Sequence, residues 1–159
     1  DEAIRRLVAS GRALLGICLG MQLLFDRGNE HAEPPAFGEV PEWVPGLGIL
    51  RGEVRRLEGR GVKVPHVGWN AADFTASGER CPLFDGVADG TYFYHTHSYV
   101  CHPEDSSQVI ATTEHGARFA SAVWDGRLVF GTQFHPEKSS AAGQRVMSNF
   151  TSLALRSAL

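Results

Sequence analysis

The feature that most constrains this chain is Gly16-Ile17-Cys18-Leu19-Gly20, a cysteine with glycine two positions away on each side. The apolar run 12–17 before it is typical of a buried strand, and 19–25 after it has the apolar pattern of a helix. A glycine-flanked nucleophile between a strand and a helix predicts a nucleophile elbow, a turn so tight that only small residues fit beside it. The helix dipole would favour the thiolate there, although the motif alone also fits Cys18 as a small buried residue.

A second segment, Phe134-His135-Pro136-Glu137, supplies the groups that a thiol nucleophile needs. Histidine can act as the base because its ordinary pKa lies near neutrality, and a carboxylate two residues further on can orient its ring. Alone, the segment would indicate only a turn with Glu137 in solvent. Together with the glycine-flanked cysteine, it predicts a catalytic triad of Cys18, His135 and Glu137.

The order of the predicted elements favours an α/β domain. Helices are expected over residues 1–10 and from Ser139 or Ser140 onward, and the prolines between 28 and 48 indicate a long connection. The strand-like runs are 12–17, 48–57, 62–65, 92–100, 108–113, 119–124 and 127–132, with a hairpin turn at Asp125-Gly126. This order suits a partly parallel sheet with helices on its faces and an antiparallel insertion, and a site at the carboxyl ends of the strands.

The cysteine and histidine segments together resemble the class I (triad-type) glutamine amidotransferase family, in which the nucleophilic cysteine precedes a His-x-Glu motif. The resemblance extends over nearly the whole chain. It implies one domain over residues 1–159, a flavodoxin-like three-layer sandwich with a central mixed sheet and a β-rich insertion. It also implies that Cys18 attacks the side-chain amide of glutamine to form a thioester, and that no cofactor or metal takes part.

Further site residues follow from the same resemblance. Gln22 would hold the amino-acid end of glutamine, and Ser98 and Tyr99 would contact glutamine largely through their backbone. The backbone N–H of Leu19 would donate to the oxyanion, as elbow geometry also predicts. Without the family, Gln22 would be interpreted as a surface residue and Tyr99 as a core residue.

The segment 64–70 and Lys138 resemble most closely the branch of the family that serves histidine biosynthesis. There, the glutaminase subunit passes ammonia to a docked (β/α)₈-barrel cyclase subunit. By this resemblance, the partner interface and ammonia gate comprise Pro65, Val67, Trp69, Asn70 and Lys138. Trp69 and Asn70 match a loop that contacts the partner, and Lys138 matches a residue at the mouth of the ammonia tunnel. Without it, Trp69 would be a core aromatic residue and Lys138 a solvated charge.

The seven histidines raise the question of a metal. His95 and His97 are two apart on a predicted strand and therefore face the same side, with Cys101 and His102 close behind. The spacing fits no standard zinc motif, so the sequence predicts no metal site. Three other histidines are expected in exposed loops: His31, His66 and His115.

Composition limits the remaining possibilities. The net charge of −3 gives no indication of nucleic-acid or membrane binding, and no apolar stretch approaches the length of a transmembrane helix. Three widely spaced cysteines favour reduced thiols and the cytoplasm. Because the chain starts at Asp1 and no Pro-Gly-x-Gly loop precedes Cys18, we expect an N-terminally incomplete family member, with low activity for lack of a second oxyanion donor.

Three alternatives remain open from the sequence. One is another branch of the family, serving anthranilate, purine or carbamoyl phosphate synthesis. Another is a non-catalytic fragment that binds the partner. The third is a general cysteine hydrolase with the same elbow.

Overall fold

The computed structural model of the chain describes residues 2–30, 43–59 and 61–158. The described residues form three α-helices: α1 (Glu2–Ala9), α2 (Leu19–Leu23) and α3 (Ser140–Arg156). They also form ten strands: β1 (Leu14–Ile17), β2 (Arg27–Gly28), β3 (Val44–Pro45), β4 (Gly52–Arg56), β5 (His66–Phe74), β6 (Thr91–His97), β7 (Tyr99–Pro103), β8 (Val109–Glu114), β9 (Arg118–Trp124) and β10 (Val129–Thr132).

The strands join in one mixed sheet. β1 pairs in parallel with β10, and Ile17 lies opposite Thr132. β10 is antiparallel to β9, from which the sheet continues in one direction through β7, β4, β2 and β3 and in the other through β8, β5 and β6. β2 and β4 form a second parallel pair, and the remaining pairs are antiparallel. The predicted fold class, a central mixed sheet with a β-rich part, is confirmed.

Two apolar clusters lie on opposite faces of this sheet. Adjacent residues on a strand point to opposite faces, and Ala122 and Phe130 belong to one cluster while their neighbours Val123 and Val129 belong to the other. The first cluster includes Val146 and Leu153 of α3, and the second includes Met21 of α2. The sheet is therefore covered by helices on both faces, as in a three-layer sandwich. α1 buries no residue fully.

Several predicted boundaries differ from the structure. The run 62–65 is not a strand, and the strand that follows it, β5, was not predicted. Its Gly, Asn and Ala residues have low strand propensity, and pairing with β6 and β8 overrides that preference. The run 92–100 is divided at Ser98 into β6 and β7, and the helix after Cys18 ends at Leu23.

The long connection predicted between 28 and 48 is only partly described. Residues 31–42 lie outside the described residues, and the flanking residues form the short strands β2 and β3. The hairpin predicted at Asp125-Gly126 is confirmed by the antiparallel pairing of β9 with β10. Its loop is longer than two residues, since β9 ends at Trp124 and β10 begins at Val129. Asp125 Oδ1 holds this loop by accepting hydrogen bonds from the backbone N–H groups of Arg127 and Val129.

Candidate active site

Cys18 occupies a strained turn between β1 and α2. Its φ of 51° and ψ of −108° are rare for a residue with a side chain, and its backbone N–H donates to the carbonyl of Thr132 on β10 at 2.7 Å. A Cβ on Gly16 would lie 2.5 Å from the backbone of Gly20, so glycine is required at position 16. At Gly20 nothing among the described residues lies within 4 Å of such a Cβ. The expected elbow is present, but the expected need for a small residue applies to Gly16 only.

The thiol of Cys18 has two polar neighbours. The Gln133 side-chain amide donates to Sγ at 3.6 Å, and the thiol faces the carbonyl of Thr96 at 3.7 Å. Burial raises the pKa of Cys18, the charges of Glu137 and Glu30 raise it further, and hydrogen bonds from Leu19 N–H and Gln133 oppose them. The N–H of Leu19 at the start of α2 does favour the thiolate, as expected, but the larger effect of burial leaves the pKa of Cys18 raised.

His135 and Glu137 have the geometry of a base and its orienting group. Nδ1 of His135 lies 2.7 Å from Oε1 of Glu137, while Nε2 is buried and has no hydrogen-bond partner among the described residues. Because the carboxylate accepts the Nδ1 proton, Nε2 of the neutral ring is left as the proton acceptor.

Ser139 holds the His135 segment against β6. Its hydroxyl donates to the carbonyl of His135 at 2.6 Å and accepts from the backbone N–H of Tyr94 at 3.0 Å, and His135 N–H donates to the Tyr94 carbonyl at 2.9 Å. The sequence also predicts that Ser139 or Ser140 caps this last helix; Ser139 occupies the N-cap position of α3, but its side chain makes no capping hydrogen bond. Its hydroxyl instead fixes the backbone at His135.

The pairing of β1 with β10 places Cys18 and His135 at the same edge of the sheet. Cys18 directly follows β1, and His135 follows β10 by three residues. Because the two strands are parallel neighbours, their carboxyl ends coincide, as expected for the site of an open α/β sheet.

A buried pair of glutamines connects α2 to the thiol. The Gln22 amide donates to the carbonyl of Tyr99 and to Oε1 of Gln133, both at 3.1 Å. Since Gln133 in turn donates to Cys18, the three side chains form one chain of hydrogen bonds. Gln133 was not singled out from the sequence. The only sequence signal is a polar residue directly after the buried strand β10.

A groove of about 250 Å³ lies beside α2. Leu19, Gln22, Arg27 and Glu30 contribute to its lining, together with residues of β3. Glu30 was also not predicted as a site residue. Its carboxylate charge reaches the thiol, since it contributes to raising the pKa of Cys18.

Ser98 and Tyr99 lie at the break between β6 and β7. The carbonyl of Ser98 accepts from the backbone N–H of Leu57 at 2.8 Å, and the carbonyl of Tyr99 accepts from Gln22 and from the ring of His97. Both carbonyls thus have partners within the protein. Backbone contact of these residues with glutamine remains a prediction.

The residues expected at the partner interface are divided between the two faces of β5. Val67 and Trp69 are 58% and 47% exposed, and the Trp69 ring packs edge-on against Tyr94 at 6.0 Å. Asn70 is turned the other way and hydrogen-bonds His66. Pro65 and Lys138 are exposed. The expectation of a loop here is wrong for 66–70, which form part of β5.

Three histidines form a buried cluster at the β5–β6 pair. His95 and His97 face the same side, as predicted, and are joined there by His66. The prediction that His66 is exposed is wrong, because it is 1% exposed. His115 stacks on His66 and hydrogen-bonds the carbonyl of Lys63, whereas His31 lies outside the described residues.

A cysteine in a strained turn and a His-Glu pair lie together at the carboxyl edge of a three-layer α/β sandwich, and these features define the class of this protein. The chain belongs to the glutamine amidotransferase class-I family, whose sequence model matches residues 1–153.

Within this family, the chain is similar to curated proteins of one kind over nearly its whole length. The chain is 45% identical over 155 residues to imidazole glycerol phosphate synthase subunit HisH of Dehalococcoides mccartyi (strain CBDB1), a match that covers 98% of this chain and 68% of the relative. It is 46% identical over 151 residues to subunit HisH of Moorella thermoacetica, covering 95% of this chain and 65% of the relative. The chain thus spans about two thirds of the length of these relatives.

Two solved structures share the fold of this chain. A glutamine amidotransferase structure superimposes with a TM-score of 0.62 at 20% identity, covering 96% of this chain and 67% of that one. A glutamine amidotransferase from Thermotoga maritima gives a TM-score of 0.59 at 17% identity, covering 99% of this chain and 55% of that one. In the described part of the chain, no helix combines the length and apolar character needed to cross a membrane.

Proposed function

We propose that this chain is the glutaminase component of an imidazole glycerol phosphate synthase. It would hydrolyse glutamine to glutamate and ammonia and pass the ammonia to a (β/α)₈-barrel cyclase subunit. The observation that most supports glutaminase chemistry is the His135–Glu137 contact of 2.7 Å, with the unpartnered Nε2 of His135 at the same sheet edge as the Cys18 thiol. The similarity to the HisH relatives supports the pathway.

The reaction would proceed through a thioester. Nε2 of His135 takes the thiol proton, and the thiolate of Cys18 attacks the amide carbon of the glutamine side chain. The backbone N–H of Leu19 donates to the oxyanion that forms. The intermediate collapses with transfer of the proton from His135 to the departing ammonia. Water activated by His135 then cleaves the thioester and releases glutamate, while Glu137 keeps the ring in the required tautomer.

The groove beside α2 would hold the amino-acid end of glutamine. It adjoins the nucleophile through Leu19, and the Glu30 carboxylate in its lining suits the substrate ammonium group. Gln22 also lines this groove, but its amide N–H groups are used by Tyr99 and Gln133. We therefore assign Gln22 mainly to fixing the site and Glu30 to binding the substrate.

The exposed face of β5 and β6 would contact the cyclase. Val67, Trp69 and Tyr92 are large apolar side chains that are 58%, 47% and 61% exposed there. Exposed apolar side chains grouped on one surface are typical of protein–protein contacts. Tyr94 joins this face to the catalytic segment, because its ring packs on Trp69 and its carbonyl accepts from His135 N–H. In the cyclase, ammonia would react with the phosphorylated ribulosyl-aminoimidazole intermediate to give imidazole glycerol phosphate and aminoimidazole carboxamide ribotide.

The proposal is tested by measuring ammonia release from glutamine with and without a cyclase subunit. We expect release that rises with the cyclase and is abolished by Cys18→Ser, while Cys81→Ala, which removes a buried cysteine of the apolar core, retains it. Activity that survives Cys18→Ser would refute the proposed nucleophile. Activity that depends on Cys18 but is indifferent to the cyclase would refute the pathway assignment alone. We place the reaction in the cytoplasm, a proposal supported by the three free cysteines.

A further inference from the structure

Three buried histidines converge on one point between β5 and β6. His66 lies directly opposite His97 in the strand register, and His95 projects from β6 on the same side, two residues away. The three side chains are 1%, 0% and 6% exposed for His66, His95 and His97. Each offers one ring nitrogen, and these nitrogens lie within 4.8 Å of one another.

Hydrogen bonds fix the tautomer of His66. The Asn70 side chain donates through Nδ2 to the backbone carbonyl of Glu114 at 3.1 Å, which orients the amide and leaves Oδ1 facing His66. Nε2 of His66 lies 2.8 Å from that oxygen, an acceptor, so Nε2 must bear the proton. Nδ1 of the neutral His66 ring is therefore left with an unshared electron pair.

The same reasoning fixes His97. Its Nδ1 lies 3.0 Å from the carbonyl of Tyr99, which can only accept, so Nδ1 bears the proton and Nε2 has the unshared pair. Nδ1 of His66 and Nε2 of His97 are 3.1 Å apart. Two unshared pairs at this distance repel each other unless a cation lies between or beside them.

His95 adds a third group in need of a partner. Both of its ring nitrogens are buried and make no hydrogen bond to the described residues. A buried polar group without a partner is costly, and no side chain among the described residues satisfies this one.

We propose that His66, His95 and His97 together bind one divalent transition-metal ion, for which zinc is the best fit. Three neutral imidazoles with a fourth position for water are a known zinc donor set. Zinc–nitrogen bonds of about 2.0–2.1 Å in a tetrahedral site place the nitrogens about 3.4 Å apart, within the range of 3.1 to 4.8 Å found here. Asn70 and the Tyr99 carbonyl supply the outer hydrogen bonds that hold metal-binding histidines in the required tautomer.

The site lies beside the candidate nucleophile without sharing a residue with it. Thr96, between two of the ligands on β6, directs its carbonyl to the Cys18 thiol at 3.7 Å. A bound metal would therefore fix the strand that faces the nucleophile. The proposal concerns metal binding alone, so its outcome is independent of the proposed glutaminase reaction.

The test measures zinc binding in the Cys18→Ser background, which removes the accessible thiol as a competing ligand. Metal-free protein is titrated with Zn²⁺ by calorimetry, and the bound metal is counted after dialysis. We expect one equivalent, loss of this binding in His95→Phe and His66→Asn, and full binding in His102→Gln, which alters a histidine outside the cluster. Asn70→Ala should weaken binding by about 10–100-fold while leaving all three ligands in place.

Two further readouts separate metal binding from loss of folding. Zn²⁺ should raise the melting temperature of the parent and of His102→Gln but not that of a folded His95→Phe, a substitution of similar volume. Co²⁺ should give the visible bands of a tetrahedral nitrogen–oxygen site without a thiolate charge-transfer band. Absence of stoichiometric binding to the parent, equal binding by His95→Phe, or an NMR signal of one proton shared between His66 and His97 under excess Zn²⁺ would each overturn the proposal.

Discussion

The close approach of Gly16 to the backbone that follows Cys18 makes Gly16→Ala an informative substitution. A Cβ at position 16 would lie 2.5 Å from both the carbonyl carbon and oxygen of Gly20 and 2.7 Å from the backbone nitrogen of Met21. Ordinary contact begins at 3.4 Å, so the start of α2 must move by about 0.9 Å away from β1. Such overpacking typically costs about 1–3 kcal/mol of stability. A displacement of about 1 Å of Cys18 relative to His135 reduces catalysis by about 10²-fold.

Gly20→Ala is the matched control, because nothing among the described residues lies within 4 Å of its added Cβ. Alanine in a helix is favoured over glycine by up to about 1 kcal/mol, so stability should be unchanged or slightly higher. The assays are ammonia release from glutamine in the presence of the cyclase, urea unfolding, and alkylation of Cys18 by iodoacetamide. Wild-type activity in Gly16→Ala, or equal damage from the two substitutions, would refute the argument that close packing of β1 against α2 positions the nucleophile.

Three other results are expected. Ser139→Ala should lower stability by about 1–3 kcal/mol and reduce kcat, because it leaves the half-buried N–H of Tyr94 without its acceptor and loosens the backbone at the proposed base His135, whereas Ser152→Ala on the exposed face of α3 should do neither. Burial raises the pKa of Cys18 from 9.0, so alkylation of Cys18 should accelerate as pH rises through neutrality and should not level off below pH 9.0. Because the hydrogen bond from Gln133 opposes this rise, Gln133→Leu should slow alkylation at a given pH. A plateau of the alkylation rate near pH 7 would contradict the raised pKa. Glu30→Gln should raise KM for glutamine with little change in kcat, and Glu30→Asp should recover part of the loss; a lower kcat at unchanged KM would oppose a substrate-binding role.

The parts of the site that depend on neighbouring residues could be predicted from the sequence. Gly16 and the apolar runs on either side of Cys18 indicated the turn, and the spacing of His135 and Glu137 allowed the contact of 2.7 Å. These features follow from local chain geometry. The fold class also followed from the order of the runs, since strands followed by helices have few compatible arrangements.

The parts that depend on distant pairing could not be predicted. His66 meets His97 across 31 positions, and Gln133 meets Cys18 across 115, so no local pattern records either contact. The strand β5 was missed for the same reason, because its partners rather than its composition determine its conformation. The pKa of Cys18 likewise depends on burial by the assembled fold, which raises it more than the hydrogen bond from Leu19 N–H lowers it.

The pairing of β1 with β10 has a consequence for when the candidate site forms during synthesis and folding. These strands are the first and last of the described sheet, so the candidate nucleophile and its proposed base are brought together by pairing between Ile17 and Thr132, which lie 115 positions apart. Contacts between residues far apart in sequence form late, because closing a long loop has a large entropic cost. During synthesis, Cys18 leaves the ribosome more than 100 residues before His135. Gln133, two residues before His135, already lies 115 positions after Cys18. The candidate thiol would therefore acquire its proposed base only after β10 has been made and has paired with β1, so a product that ends before β10 would lack the proposed hydrolytic chemistry.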